Sequence, residues 1–152
     1  MRFIRSATKE SKLIAFHHKV VHNYVAHNAN MKKWNMKENE NCKYCKEKET
    51  ILHLYANCPE TVKLLKQVLR ALRTNCMKVV DFIFGNSNKA ETLMFLIIKR
   101  LMWSSRFHGT ELNVYRIISE IKLRMKIEKE RLPFRSFNTK WNAYIHLLDM
   151  ES

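Results

Sequence analysis

Cys42-Lys43-Tyr44-Cys45, followed by His53 and then Cys58-Pro59, constrains this chain more than any other stretch. The pattern is Cys-x2-Cys-x7-His-x4-Cys. Three thiolates and one imidazole are the donor set of a closed, tetrahedral structural Zn²⁺ site, so Cys42, Cys45, His53 and Cys58 are the expected ligands. On an uninterrupted α-helix, residues five apart such as His53 and Cys58 lie about 140° apart around the axis. The spacing therefore predicts a break in the helix between them. Pro59 supports the break, because it disfavours helical geometry at Cys58 and suits the first position of a new helix. Cys58 then sits at a helix N-terminus, where the dipole and free amides favour a thiolate. Thr50 is placed to cap the turn that carries His53. Cys76 reads as a core thiol rather than a ligand. His18 and His22 are i, i+4 without a third ligand nearby, and with His17 they read as surface or phosphate-facing residues.

The rest of the chain predicts helices. Only two glycines and two prolines occur in 152 residues, and 46% of the residues are apolar. That composition favours long helices around a real core. Apolar residues at three- and four-residue spacing predict helices over about Ser11 to His27, Asn30 to Lys37 (with Asn28 or Asn30 as cap), Pro59 to Arg73, Asn88 to Phe107, Thr110 to Arg131 and Asn138 to Leu148. Val79 to Gly85 reads as a short extended or docking segment. The helix through Leu93 to Ile98 is apolar nearly all round and should be the buried centre. Gly109 ends it, and Thr110 caps the next. The expected architecture is a single all-α domain of about five to six helices with one Cys3His zinc finger. Residues 1–37 form N-terminal helices, 38–60 the finger and 61–152 a C-terminal helical bundle.

Charge points to a partner. The formal net charge is +14. Self-repulsion on that scale is tolerated when a polyanion binds, though a lysine-rich solvated surface gives the same number. Lys43, Lys46 and Lys48 surround the predicted metal turn, with Lys32, Lys33 and Lys37 just before it. Tyr44 is placed either to stack on an unpaired base or to pack on the finger's own body. Arg124 and Lys126 add basic charge on the fifth helix. No sequence-reading helix is evident, so weak base specificity is expected. Asp occurs only at Asp81 and Asp149, whereas two-metal phosphoryl transfer needs clustered carboxylates. No Gly-rich phosphate loop is present either. The chain is therefore expected not to be an enzyme.

Through these residues the chain resembles the reverse transcriptase zinc-binding domain at the C-terminal end of non-LTR (LINE-type) retrotransposon polymerases. The core of the likeness is Cys42-Lys43-Tyr44-Cys45, Glu49-Thr50-Ile51-Leu52-His53-Leu54 and Cys58-Pro59. Phe16 to His22, Asn28 to Trp34, Phe82-Ile83-Phe84-Gly85, Ser105-Arg106-Phe107 and Lys140-Trp141 are similar as well. The resemblance implies a tail that helps hold template RNA or target DNA during target-primed reverse transcription. It implies that polymerisation belongs to an upstream acidic pair that nothing here matches.

Two rivals stand beside the nucleic-acid reading. One is a structural or protein-interaction module that docks on the polymerase part of a longer protein. The other is a relic of a retroelement reading frame. Met1 to Arg5 lacks the apolar core of a secretory signal. The longest apolar run, Leu93 to Ile98, falls far short of the roughly 20 residues of a membrane span. The expectation is an intracellular protein of nucleus or cytoplasm, with reduced thiols and no membrane partner.

Overall fold

The computed structural model describes residues 2–74 and 77–150. Cys76 lies outside them. The described residues form α-helices and no strand. These are α1 (Arg2–Ala7), α2 (Ser11–Val21), α3 (Asn28–Lys33), α4 (Pro59–Ala71), α5 (Val79–Phe84), α6 (Lys89–His108), α7 (Val114–Arg131), α8 (Phe134–Trp141) and α9 (His146–Asp149). A π-helical turn covers His53–Asn57, and a 3₁₀ turn covers Asn142–Tyr144. No helix among the described residues is long and apolar enough to cross a membrane.

The all-α class holds, and its helices are more numerous and shorter than the periodicity suggests. Asparagine explains part of this. Helix α2 stops at Val21 because Asn23 takes a left-handed conformation (φ 56). The Tyr24 amide then donates to the Lys19 carbonyl and the Asn23 amide to Val20. Asn35 (φ 57) ends α3 in the same way, with Met36 donating to Met31 and Asn35 to Lys32. Both are Schellman closures in which Asn does the usual work of glycine. Arg73 closes α4 by the same pair of bonds.

Two caps and one segment differ from expectation. Helix α3 is capped by His27, whose Nδ1 accepts the Asn30 amide at 3.3 Å. Asn28 and Asn30 instead spend their side chains on the carbonyls of Asn41, Asn23 and Val25. Helix α7 is capped by Asn113, three residues beyond Thr110. Val79 to Phe84 is a helix rather than an extended piece, and it buries Phe82 and Ile83. Its Gly85 has φ 81, and a Cβ there would come within 2.9 Å of Thr92.

Helix α6 is the hub, as its apolar sequence predicts. Every residue from Thr92 to Lys99 is buried, and α1, α2, α5, α7 and α8 all pack against it. One hydrophobic cluster runs from Ile4 on α1 to Leu147 on α9. Trp141 and Lys140 close the far side, donating to Glu128 of α7 at 2.7 and 2.8 Å.

Two polar side chains in this core are unusual. Lys99 is buried and donates to the Ile83 carbonyl at 2.6 Å, and burial pushes its ammonium down to about 7. His17, expected at the surface, is fully buried with neither ring nitrogen bonded. Burial and the Lys99 charge push His17 down to about 4. Between that value and the unfolded 6.5, the unfolded chain binds a proton that the folded chain refuses, so stability falls as pH drops through this window. The loss attributable to His17 should approach about 3 kcal/mol at pH 4. Urea unfolding of wild type and His17→Leu between pH 7 and 4 isolates it, because every other titratable group is common to both. Parallel pH profiles for the two proteins would refute the assignment.

Candidate metal centre

The site grows from a hairpin-like turn. The Glu49 amide donates to the Glu40 carbonyl, the Cys42 amide to Glu47, and the Lys46 amide to Cys42. An isolated antiparallel bridge joins Asn41 and Lys48. Lys46 at φ 67 provides the left-handed step, and the Tyr44 amide points at Cys42 Sγ from 3.5 Å. Cys42 and Cys45 are thereby aimed at one point.

His53 and Cys58 meet that point by a route the sequence reading only half anticipates. Thr50 caps the turn as expected, with its hydroxyl accepting the His53 amide at 3.2 Å. The helix then widens rather than simply breaking. The Cys58 amide donates to the His53 carbonyl, five residues back, at 3.0 Å. A π-turn spreads a revolution over more residues than an α-turn, so residues five apart return toward one face. The chain leaves the helix at Cys58 (φ −66, ψ 131), and Pro59 opens α4. This widening orphans the Leu54 carbonyl: Cys58 is already spent on His53, and the next candidate, Pro59, has no N–H. The Thr61 hydroxyl takes over at 2.8 Å.

The donor atoms of Cys42, Cys45, His53 and Cys58 all lie within 4.8 Å of one another. Sulfur to sulfur, Cys42 and Cys58 are 3.8 Å apart, and Cys45 Sγ is 3.3 Å from His53 Nε2. A tetrahedron with metal–sulfur bonds of about 2.3 Å has edges of about 3.8 Å, so the four residues fit such an ion. Cys42 and Cys58 are fully buried, and His53 nearly so. Burial and the Arg106 charge lower the His53 pKa, which keeps the imidazole neutral, as a ligand must be. Burial pushes the Cys58 thiol up, but Arg106 and the free amides of Thr61 and Glu60 outweigh it, and the net shift is downward. The helix N-terminus therefore acts on Cys58 as the sequence predicts.

Arg106, on α6, completes the centre from outside the Cys/His spacing, within the Ser105-Arg106-Phe107 stretch of the resemblance. Its Nη1 donates to Glu49 at 3.0 Å and to Cys42 Sγ at 3.2 Å, and its Nη2 donates to Thr61 at 2.9 Å. Glu49 accepts in turn from the Asn28 amide that opens α3, at 3.0 Å. Two basic groups also approach the Tyr44 ring, Arg106 at 5.1 Å from its centroid and Lys43 at 4.8 Å. The ring is nonetheless 47% exposed.

The other basic residues singled out from sequence divide into two sets. Lys32, Lys33, Lys37, Lys43, Lys46, Lys48 and Lys126 are exposed. Arg124 is half-buried and ion-paired with Glu10 and with Glu120. His18 and His22 lie side by side on the surface with tilted rings, centroids 4.3 Å apart.

Residues 2–64 match the family described as zinc-binding in reverse transcriptase. The matched segment contains all four residues of the Cys3His group and stops short of α6. No curated protein and no solved structure matches the chain.

Arg106→Ala would leave Glu49 buried without its cation. Removing one partner of a buried pair costs about 3–5 kcal/mol, and denaturant unfolding should register a loss of that order. Arg106→Lys keeps the charge but not the fork and should recover only part of it. A loss below about 1 kcal/mol in the alanine variant would show the contact to be dispensable.

Proposed function

We propose that the chain is a zinc-binding, nucleic-acid-binding module without catalysis of its own, of the kind found in the tail of non-LTR retrotransposon reverse transcriptases. The observation that carries this reading is a Cys3His group, matched to zinc-binding in reverse transcriptase, with exposed lysines around it. The donor chemistry favours zinc, since thiolates and imidazole suit it better than they suit hard cations. The ion would act as a staple, pinning the turn at Cys42 and Cys45 to the start of α4.

Electrostatics support a polyanionic partner. Lys43, Lys46 and Lys48 project from the metal turn, and Lys32, Lys33 and Lys37 lie on and after α3. Lys48 has a carboxylate nearby, Glu40 at 3.4 Å. Such an exposed pair contributes little and yields readily to a phosphate. The net charge of +14 adds a long-range pull. The partner in this reading is RNA or DNA, held mainly by its phosphates, in the nucleus or cytoplasm where thiols stay reduced. The absence of catalysis is inferred from chemistry: Asp81 on α5 and Asp149 on α9 stand apart, and the metal-capable group among the described residues is thiol-rich.

A second reading, docking on the polymerase part of a longer protein, has its own support. Phe3 on α1 and Val79, Val80 and Phe84 on α5 are exposed apolar side chains, and Phe3 approaches the Gly85 that ends α5.

With about six phosphates contacted, log K for RNA or DNA should fall with log salt at a slope near −5. Lys43→Ala, Lys46→Ala and Lys48→Ala combined should lower the slope by about 3 and weaken binding while helicity and zinc content survive. Fluorescence anisotropy from about 50 to about 300 mM salt measures both. Salt-independent or absent binding would sink the proposal. An unchanged triple variant would move the interface off the knuckle, the turn from Cys42 to Cys45, and favour docking.

A further inference from the structure

A groove of about 360 Å³ opens beside the metal centre, between the knuckle, α4, α6 and the turn into α7. Its size is that of a small-ligand pocket. Tyr44 forms its rim, and Leu64, Met102 and Leu112 give it an apolar side. Arg106 lies at its inner edge, fixed by Glu49, Thr61 and Cys42. The guanidinium in turn steadies the Tyr44 ring, so a half-exposed aromatic is held in place before anything binds. Lys43 also lies over that ring, but on an exposed, flexible stem that a stronger stacking partner displaces.

The charges in the groove select among ligands. Glu60 and Glu111 line it, and both are exposed. Carboxylates there repel phosphate, so the groove itself is a poor seat for a nucleic-acid backbone. They are good acceptors for amino groups on base edges, as carboxylates are for the amino group of cytosine. Basic charge sits beside them at Lys63 in the lining and Lys43 next to Tyr44, where a backbone passing outside would run. A flat ring with an apolar face and an amino edge satisfies the aromatic rim, the apolar side and the carboxylates together. Duplex DNA or RNA does not offer such a ring, because its bases are stacked and paired.

We propose that this groove takes one unpaired, amino-bearing nucleobase of a single strand, stacked at Tyr44 with its edge toward Glu60 or Glu111. This rests on the nucleic-acid reading above and adds to it a preference for single strands and for a class of base.

The test uses the full chain loaded with zinc and three strands of about 12 nucleotides: oligo-dC, oligo-dT and an abasic phosphodiester. Oligo-dC should bind about tenfold tighter than the abasic strand, with oligo-dT between them. Tyr44→Ala should bring oligo-dC down to the abasic level and leave abasic binding unchanged, while Tyr44→Phe keeps most of the difference. Equal affinity for oligo-dC and abasic strands, or an equal loss on both in Tyr44→Ala, overturns the groove and leaves phosphate binding standing. Equal affinity for oligo-dC and oligo-dT overturns the amino-edge preference. Failure of every strand to bind at about 50 mM salt removes the nucleic-acid reading as well. Because Tyr44 lies between two ligands, wild-type protein supplies a check free of folding effects. Photo-cross-linking of a 5-iodocytosine strand should mark Tyr44 or Met102, and cross-links confined to other surfaces overturn the proposal.

Discussion

The Arg106 guanidinium is the joint of this molecule. It stands near the end of α6, the helix around which the core is built, and reaches three otherwise separate pieces. These are the Glu49 carboxylate that seats α3, the Cys42 thiol in the knuckle and the Thr61 hydroxyl in the first turn of α4. A divalent ion held by three thiolates and an imidazole would leave one negative charge, and Glu49 adds another in the same buried place. Charges there persist only when paired and hydrogen-bonded. Arg106 provides both from one planar group, so the metal centre and the helical core share their electrostatics. A finger of this kind is not a bead on a string. Its neutralising cation comes from a helix that lies well beyond the segment matched to the family.

What the sequence discloses and what it hides divide along a physical line. The four ligands, the Thr50 cap and the Pro59 start are local, fixed by spacing and by the conformational limits of single residues. They were legible. So was the burial of α6, because an all-round apolar run has one sensible place in a fold. The Ser105-Arg106-Phe107 stretch belongs to the resemblance, but the role of Arg106 was not legible, since it meets Glu49 across 57 residues of chain and no periodic pattern marks the pairing. The available hint was an arginine beside buried Ser105 on a helix otherwise committed to the core. The helix ends at Asn23 and Asn35 are hidden because apolar periodicity continues past them, and asparagine is a weaker stop signal than glycine. Val79 to Phe84 is rich in β-branched and aromatic residues and reads as extended, yet packing of Phe82 and Ile83 makes it a helix.

Burial also sorts the chain's large positive charge into two uses. Lys99 and Lys140 are drawn inward, where each donates to a backbone carbonyl, and Arg124 ties α7 to Glu10. These cations are parts of the architecture. The lysines around the knuckle and α3 remain in water. A sequence count treats both groups alike, so net charge overstates the surface field and says nothing of its location.

The π-turn at His53–Asn57 has one more consequence. Its widened backbone is closed by the Cys58 amide on the His53 carbonyl, and the same widening brings His53 and Cys58 within reach of one point. Winding and donor placement are therefore one property of the chain: a residue inserted or removed between His53 and Cys58 would change both together. An ion bound there would hold the turn like a clasp, gripping the backbone geometry as well as the side chains.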